Sequence, residues 1–303
     1  MTSLLTLFAN NILPILIVAA VGYLLQRIFQ LNTRTFTQAI IYVLTPCLIF
    51  TNLATSEIAA SDMLRMVALA LLLLLSMGAL SFIISRLLSL PARLASIFIL
   101  TTTFMNAGNF GLPFTDFTLG SDGLAWASIF FVTCAIAMNT AGIYIATAGA
   151  YSPLNAFRKL ATFPAIYAIP LALIVRATEF VIPLPIWRPI ELLSDATVPT
   201  MLLLLGMQIA SNGIPKQKGL IALSTSLRLL ASPLLASLLA LILGLGGVAR
   251  DAALIEAAMP TAVFTAVLAH EFDLDPNFAT SAIFATTILS PLTLTPLIAL
   301  LGA

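Results

Sequence analysis

The sequence predicts an all-α membrane protein of about ten transmembrane helices, arranged as two five-helix repeats of opposite orientation. Three observations predict it. The composition is far more apolar than that of a soluble domain, apolar runs of spanning length follow one another through short connectors, and a set of proline and glycine signals recurs about 150 residues apart.

Hydrophobic residues make up 60% of the 303 and charged residues 8%, with a mean hydropathy of +1.10. A soluble surface needs far more charge. The net charge of +1 leaves no clustered cationic face for nucleic acid. Cys47 and Cys134 lie inside apolar segments and the single histidine is His270, so no disulfide framework, metal cluster or other cofactor is expected. No Lys or Arg precedes the first apolar run, so the basic region of a secretory signal is missing and the segment is read as a retained first helix.

The apolar runs place spans at 8–29, 35–54, 63–88, 94–119, 124–148, 157–178, 190–211, 218–244, 250–270 and 276–301. They are too long, and alternate too little, for barrel strands. Connectors after odd-numbered spans carry Arg27, Arg34, Arg86, Arg93, Arg158, Lys159, Lys216 and Lys218, while those after even-numbered spans carry only Arg65, Arg176, Arg188 and Arg250. The positive-inside asymmetry puts the first set in the cytoplasm, with residues 149–157 inside and both termini outside. The membrane is expected to be the plasma (bacterial inner) membrane.

The halves resemble each other. Leu13-Pro14-Ile15 matches Phe163-Pro164-Ala165, Thr45-Pro46 matches Val198-Pro199, and Met105 to Phe110 matches Met259 to Phe264, at offsets of 150, 153 and 154. Five spans per half make the second half enter from the opposite side, the inverted-topology plan that recurs in transporters.

The fourth span holds Asn106-Ala107-Gly108-Asn109-Phe110-Gly111-Leu112-Pro113. Pro113 lacks an N–H and clashes with the preceding turn, and glycine leaves helical dihedrals cheaply, so the helix should break. The ninth span breaks at Met259-Pro260-Thr261. Backbone groups freed at membrane depth must face protein or a wet cavity. Paired breaks of this kind mark transport sites, and half-helix N-termini stabilise anions. The candidate substrate-binding residues are therefore Asn106, Gly108, Asn109, Gly111, Pro113, Pro260 and Thr261, with the asparagines as donors. A Gly-rich packing seam is the other reading of these segments.

At these residues the sequence resembles the auxin efflux carrier family. Asn106, Gly111 and Pro113 fit its fourth-helix pattern. Ser226-Leu227-Arg228-Leu229-Leu230 with Pro233 resembles its eighth helix, and Ala257-Ala258-Met259-Pro260, Ala269-His270-Glu271-Phe272 and Pro276 resemble its ninth and tenth. The resemblance implies a fold like that of bile acid symporters and sodium/proton antiporters, with the fourth and ninth helices crossing at the site. It implies scaffold helices at 1–60 and 151–212, whose spans 1, 2, 6 and 7 form a homodimer. It implies transport-domain helices at 61–150 and 213–303, an elevator-like motion, and a carboxylate bound near Asn106. The long inner loop common in plant members shrinks here to about 149–157, so regulation through it does not carry over.

Three further polar residues lie within spans. Arg228 is a midplane charge, either a substrate-binding residue or a structural arginine that pairs with an acid. Glu256, one turn before Pro260, either binds a coupling proton or sodium ion, as a similarly placed glutamate does in the bile acid symporters, or neutralises Arg228. Asn139, in the fifth span, lines the substrate path or bonds a neighbouring helix. Asp62 and Arg65 are read as a surface ion pair.

The function expected is secondary active transport of a small organic anion, auxin-like or a mono- or dicarboxylate. An anion channel and a non-transporting membrane receptor are the alternatives, but neither needs paired midplane breaks. An intramembrane enzyme needs a nucleophile with a base, or a metal cluster, and the spans hold neither.

Overall fold

In the computed structural model, which describes residues 6, 8–147, 164–210 and 218–302, the apolar runs fold as helices. These are α1 (Leu13–Phe29), α2 (Thr33–Ala54), α3 (Ala60–Leu87), α4 (Ala92–Thr103), α5 (Ala107–Ala146), α6 (Ala165–Ala177), α7 (Leu184–Ala210), α8 (Lys218–Ile242), α9 (Gly247–Ala257), α10 (Phe264–Glu271) and α11 (Pro276–Leu301). Six of them, α2, α3, α5, α7, α8 and α11, are long and apolar enough to cross a membrane, and α1, α4 and α6 are shorter apolar helices. Among the described residues the one non-helical pairing is an isolated antiparallel bridge between Met105 and Thr261. The chain is thus an all-helical integral membrane protein.

Two boundaries differ from the sequence reading. α7 begins at Leu184 rather than at 190, because Pro185 sits in its first turn, where a missing N–H leaves nothing unpaired. The connector expected at 120–123 shrinks to Gly120, whose φ of +65° interrupts α5 without a loop. The loop 149–157, expected on the inside, the start of the sixth span and residues 211–217 lie outside the described residues.

Prolines set where helices widen. Single π turns at Phe8–Ile12, Ile40–Leu44, Ala107–Gly111 and Leu227–Ala231 each run into a helix whose second residue is Pro14, Pro46, Pro113 or Pro233. A proline ring collides with the carbonyl one turn back, and adding a residue to that turn makes room for it. A fifth π turn, Met138–Gly142, has no proline; there Asn139 Nδ2 donates to Ala135 O (2.9 Å) and Thr140 Oγ1 to Ile136 O (2.8 Å). Such back-bonding competes with the ladder and loosens it.

Helix α8 shows how a lipid-facing helix is patterned. Arg228, Ser232, Ala236 and Ala240, four residues apart, are buried, while Leu230, Leu234, Leu238 and Leu241 are exposed. The polar and small side chains face protein, and leucines face the acyl chains. At the start of α3, Asp62 and Arg65 form the expected surface pair at 3.2 Å.

Helices α1 and α7 meet backbone to backbone. A Cβ at Gly22 would overlap Leu203 O, and one at Gly206 would overlap Ala19 O. Backbone cannot retreat as a side chain can, so Gly206→Ala is expected to destabilise by about 1–3 kcal/mol. Gly78 in α3 has room, since a Cβ there meets only the Thr103 side chain at 3.7 Å. Gly78→Ala should therefore stabilise by up to about 1 kcal/mol through helix propensity. Thermal unfolding in detergent should move the two variants in opposite directions, and a common direction would remove the backbone-contact account.

Candidate functional site

The two interrupted segments meet. α4 stops at Thr103 and α9 at Ala257, and the chains beyond them run extended side by side. Asn106 N donates to Pro260 O (2.7 Å) and Ala262 N to Phe104 O (2.9 Å) around the Met105–Thr261 bridge. Thr261 Oγ1 donates to Thr101 O (2.8 Å), and Thr261 N to Thr286 Oγ1 (3.1 Å). Each break therefore satisfies backbone groups that the other frees.

Four helix ends converge there, the C-termini of α4 and α9 and the N-termini of α5 and α10. Arg228, fully buried, serves the first two. Its Nη1 donates to Thr102 O (3.0 Å) and Thr103 O (2.9 Å), and its Nη2 to Ala257 O (2.6 Å) and Ser232 Oγ. Ser232 Oγ also donates to Ala257 O (2.8 Å). A cation on these carbonyls offsets the negative ends of two helix dipoles.

Glu256, also fully buried, sits against the first turns of α5. Thr115 Oγ1 donates to Oε1 at 3.4 Å, and Oε2 has no partner. The carboxylate fits there only because residue 111 is glycine, since a Cβ would overlap it. Among the described residues no ion pair joins Glu256 to Arg228. The pairing of these two charges, one of the sequence readings, is not made, because the guanidinium is engaged by carbonyls instead.

A cavity of about 750 Å³ opens beside the crossing, between α2 and α7 on one side and α5, α10 and the residues before α5 on the other. Phe104, Met105, Phe131, Met138, Met201 and Leu204 give it apolar walls, and Arg34, His270 and Glu271 also line it. Asn106, Ala107, Gly108 and Asn109 line it from the start of α5, and Ala262, Val263 and Phe264 from the start of α10. The first-turn N–H groups of a helix have no intrahelical acceptor, so two such sets border one space. Asn106 is 6% exposed and its Nδ2 has no hydrogen-bond partner. Asn109 Nδ2 reaches Gln208 Oε1 on α7 at 3.5 Å.

Of the residues singled out in the sequence, Asn106, Gly108, Asn109 and Asn139 line the cavity. Gly111, Pro113, Pro260 and Thr261 shape the break behind it, and Arg228 and Glu256 lie outside its lining. Sequence reasoning missed Gln208 and Thr45, which also line it. Gln208 is an amide in an apolar run, which was a signal. Thr45 enters the sequence reading only through the Thr45-Pro46 repeat match, which says nothing of a cavity.

A family model described as membrane transport protein matches residues 7–298. The chain is similar to an uncharacterized transporter of Methanothermobacter thermautotrophicus, 27% identical over 286 residues that cover 93% of this chain and 94% of that protein. It is also similar to an uncharacterized transporter of Methanocaldococcus jannaschii, 26% identical over 292 residues, 92% of this chain and 94% of that one. The matched stretch takes in both breaks and the whole cavity, and the chain belongs to the membrane transport protein family, that of the auxin efflux carriers, whose members are transporters and not enzymes.

Proposed function

We propose that the protein is a secondary carrier of a small organic carboxylate, which binds in the cavity beside the crossed breaks. The observation that carries the reading is the convergence on one cavity of two helix N-termini and the unpartnered Asn106 amide. N–H groups and positive dipole ends stabilise an anionic head, and the Phe and Met walls suit an apolar body. The volume of about 750 Å³ holds a small organic molecule and little more.

In this reading the chain spans the membrane ten times, α4 with the start of α5 and α9 with α10 each making one broken span, and the halves are inverted repeats. Helices α1, α2, α6 and α7 form the dimeric scaffold, and the rest moves against it as an elevator. The packing supports that division, since α1 lies on α7 and α6 on α2, while α3, α5, α8 and α9 pack together. Glu256 binds the coupling ion. A proton suits it better than sodium, because among the described residues the one hydrogen bond to the carboxylate comes from the Thr115 hydroxyl, and metal cations want several oxygens.

Counterflow tests the reading. Proteoliposomes preloaded with unlabelled carboxylate should transiently accumulate the labelled one from a dilute outside solution. Aromatic and aliphatic mono- and dicarboxylates would be tried in turn. Saturable leak without an overshoot for every substrate would favour the channel.

The orientation has its own test. On a background lacking Cys47 and Cys134, Ser3→Cys should react with an impermeant thiol reagent in intact cells and Ser152→Cys should not. Both positions lie outside the described residues. The opposite labelling would turn the molecule over in its plasma membrane.

A further inference from the structure

We infer that the carbonyl nest closing α4 and α9 is a cation site that the chain fills with its own guanidinium, so that Arg228 holds the place of a bound cation. Three backbone oxygens from two separate helices, Thr102 O, Thr103 O and Ala257 O, converge with the Ser232 hydroxyl on one buried group. None of these ligands carries a charge. Among the described residues no carboxylate forms an ion pair with Arg228, and Glu256 is engaged at Gly111 and Thr115. The balancing charge is thus the pair of negative helix ends. An array of neutral oxygens at two facing helix C-termini suits a monovalent cation rather than a divalent one, which draws carboxylates, and its spread over two helix ends matches the planar fork of a guanidinium better than a compact ion.

The tether has two consequences. The nest is occupied whether or not any free cation is present, so the crossing beneath the cavity keeps its geometry without one. Arg228 also makes no contact with the cavity. It is a positioning residue, which acts on Asn106 through the α4 end that it ties to α9.

Arg228→Ala empties the nest and leaves a hole of guanidinium shape. In detergent, its Tm should fall by roughly 10 °C, the scale expected when a buried charge is removed from its partners. Guanidinium chloride at millimolar concentration should then restore Tm in a saturable manner. Urea has the same shape without the charge and should not, nor should sodium chloride at equal ionic strength match guanidinium. The parent protein and Arg228→Met, whose nests are filled, should gain nothing from guanidinium. Equal rescue by urea, no rescue by either, or an Arg228→Ala protein as stable as the parent would each overturn the inference. Should Arg228→Ala give no folded protein, Arg228→Lys and Arg228→Met decide. The two side chains are similar in size, and Lys should keep the higher Tm because it keeps the charge. Equal stability, or loss of both alike, would count against a cation site.

Discussion

Asn106→Ala is expected to weaken substrate binding roughly 10- to 150-fold, the equivalent of about 1.5–3 kcal/mol for a hydrogen bond to a charged group. The position of residue 106 does not depend on its side chain. Its N–H is held by Pro260 O at 2.7 Å and its carbonyl by Gly111 N at 3.0 Å. Tm should therefore change little, and the loss should show in affinity alone. Asn106→Asp keeps the shape and replaces a donor by a negative charge. It should lose more than Asn106→Ala, because the carboxylate repels the anion and competes with it for the N-terminus of α5. Calorimetric titration with whichever carboxylate shows counterflow would measure both variants. If Asn106→Asp binds as well as the parent, the anionic head is held elsewhere. Asn109 and Gln208 would then be the next positions to change, since their contact spans the cavity between α5 and α7.

What the sequence made legible, and what it did not, follows from where the forces originate. The break at 259–261 is legible because Pro260 acts on its own backbone, whereas the chain leaves the fourth-span helix at 104–106 and is helical through Gly111 and Pro113, where the proline widens a turn instead of ending the helix. The long apolar runs were legible because lipid imposes a length on every span. The partners of Arg228 were not, since backbone carbonyls are anonymous and any residue at the ends of α4 and α9 could supply them. An acid was the natural guess for the partner of a buried arginine. The structure answers the charge with helix ends, which have no signature in composition. The sequence makes Gly111 a helix-breaking and candidate substrate-binding residue, whereas in the structure it is helical and admits the carboxylate of a residue 145 positions later in the chain. Glycine at 206 is of the same kind, since its role depends on the backbone of α1. Contacts between distant segments are properties of the fold, and one sequence cannot show them.

Glu256→Gln is expected to abolish gradient-driven accumulation of substrate while leaving exchange intact. Exchange needs only that the loaded site alternate between faces. Accumulation needs an ion whose binding is linked to that alternation. Glu256 can provide the link because it lies at the last turn of α9, with its carboxylate on Gly111 and Thr115 at the start of α5. The group touches both halves of the crossing, so whatever it binds biases how they fit together. A buried carboxylate with no ion pair costs far more than a protonated one or the glutamine amide, so Glu256→Gln should fold. In proteoliposomes an imposed pH gradient should drive uptake by the parent and not by Glu256→Gln, and an equal sodium gradient should drive neither. Gly111→Ala gives a second route to the same place. Its Cβ displaces the carboxylate, so it should lower Tm and impair coupling with Glu256 itself unchanged. The double variant Gly111→Ala, Glu256→Ala should recover the Tm, because the shorter side chain leaves room for the added methyl. A Glu256→Gln protein that still concentrates substrate under the pH gradient would remove this residue from coupling. Uptake by the parent that follows sodium instead would reassign the ion, and leave the place of its binding at the junction of α9 with α5 to be tested by the same variants.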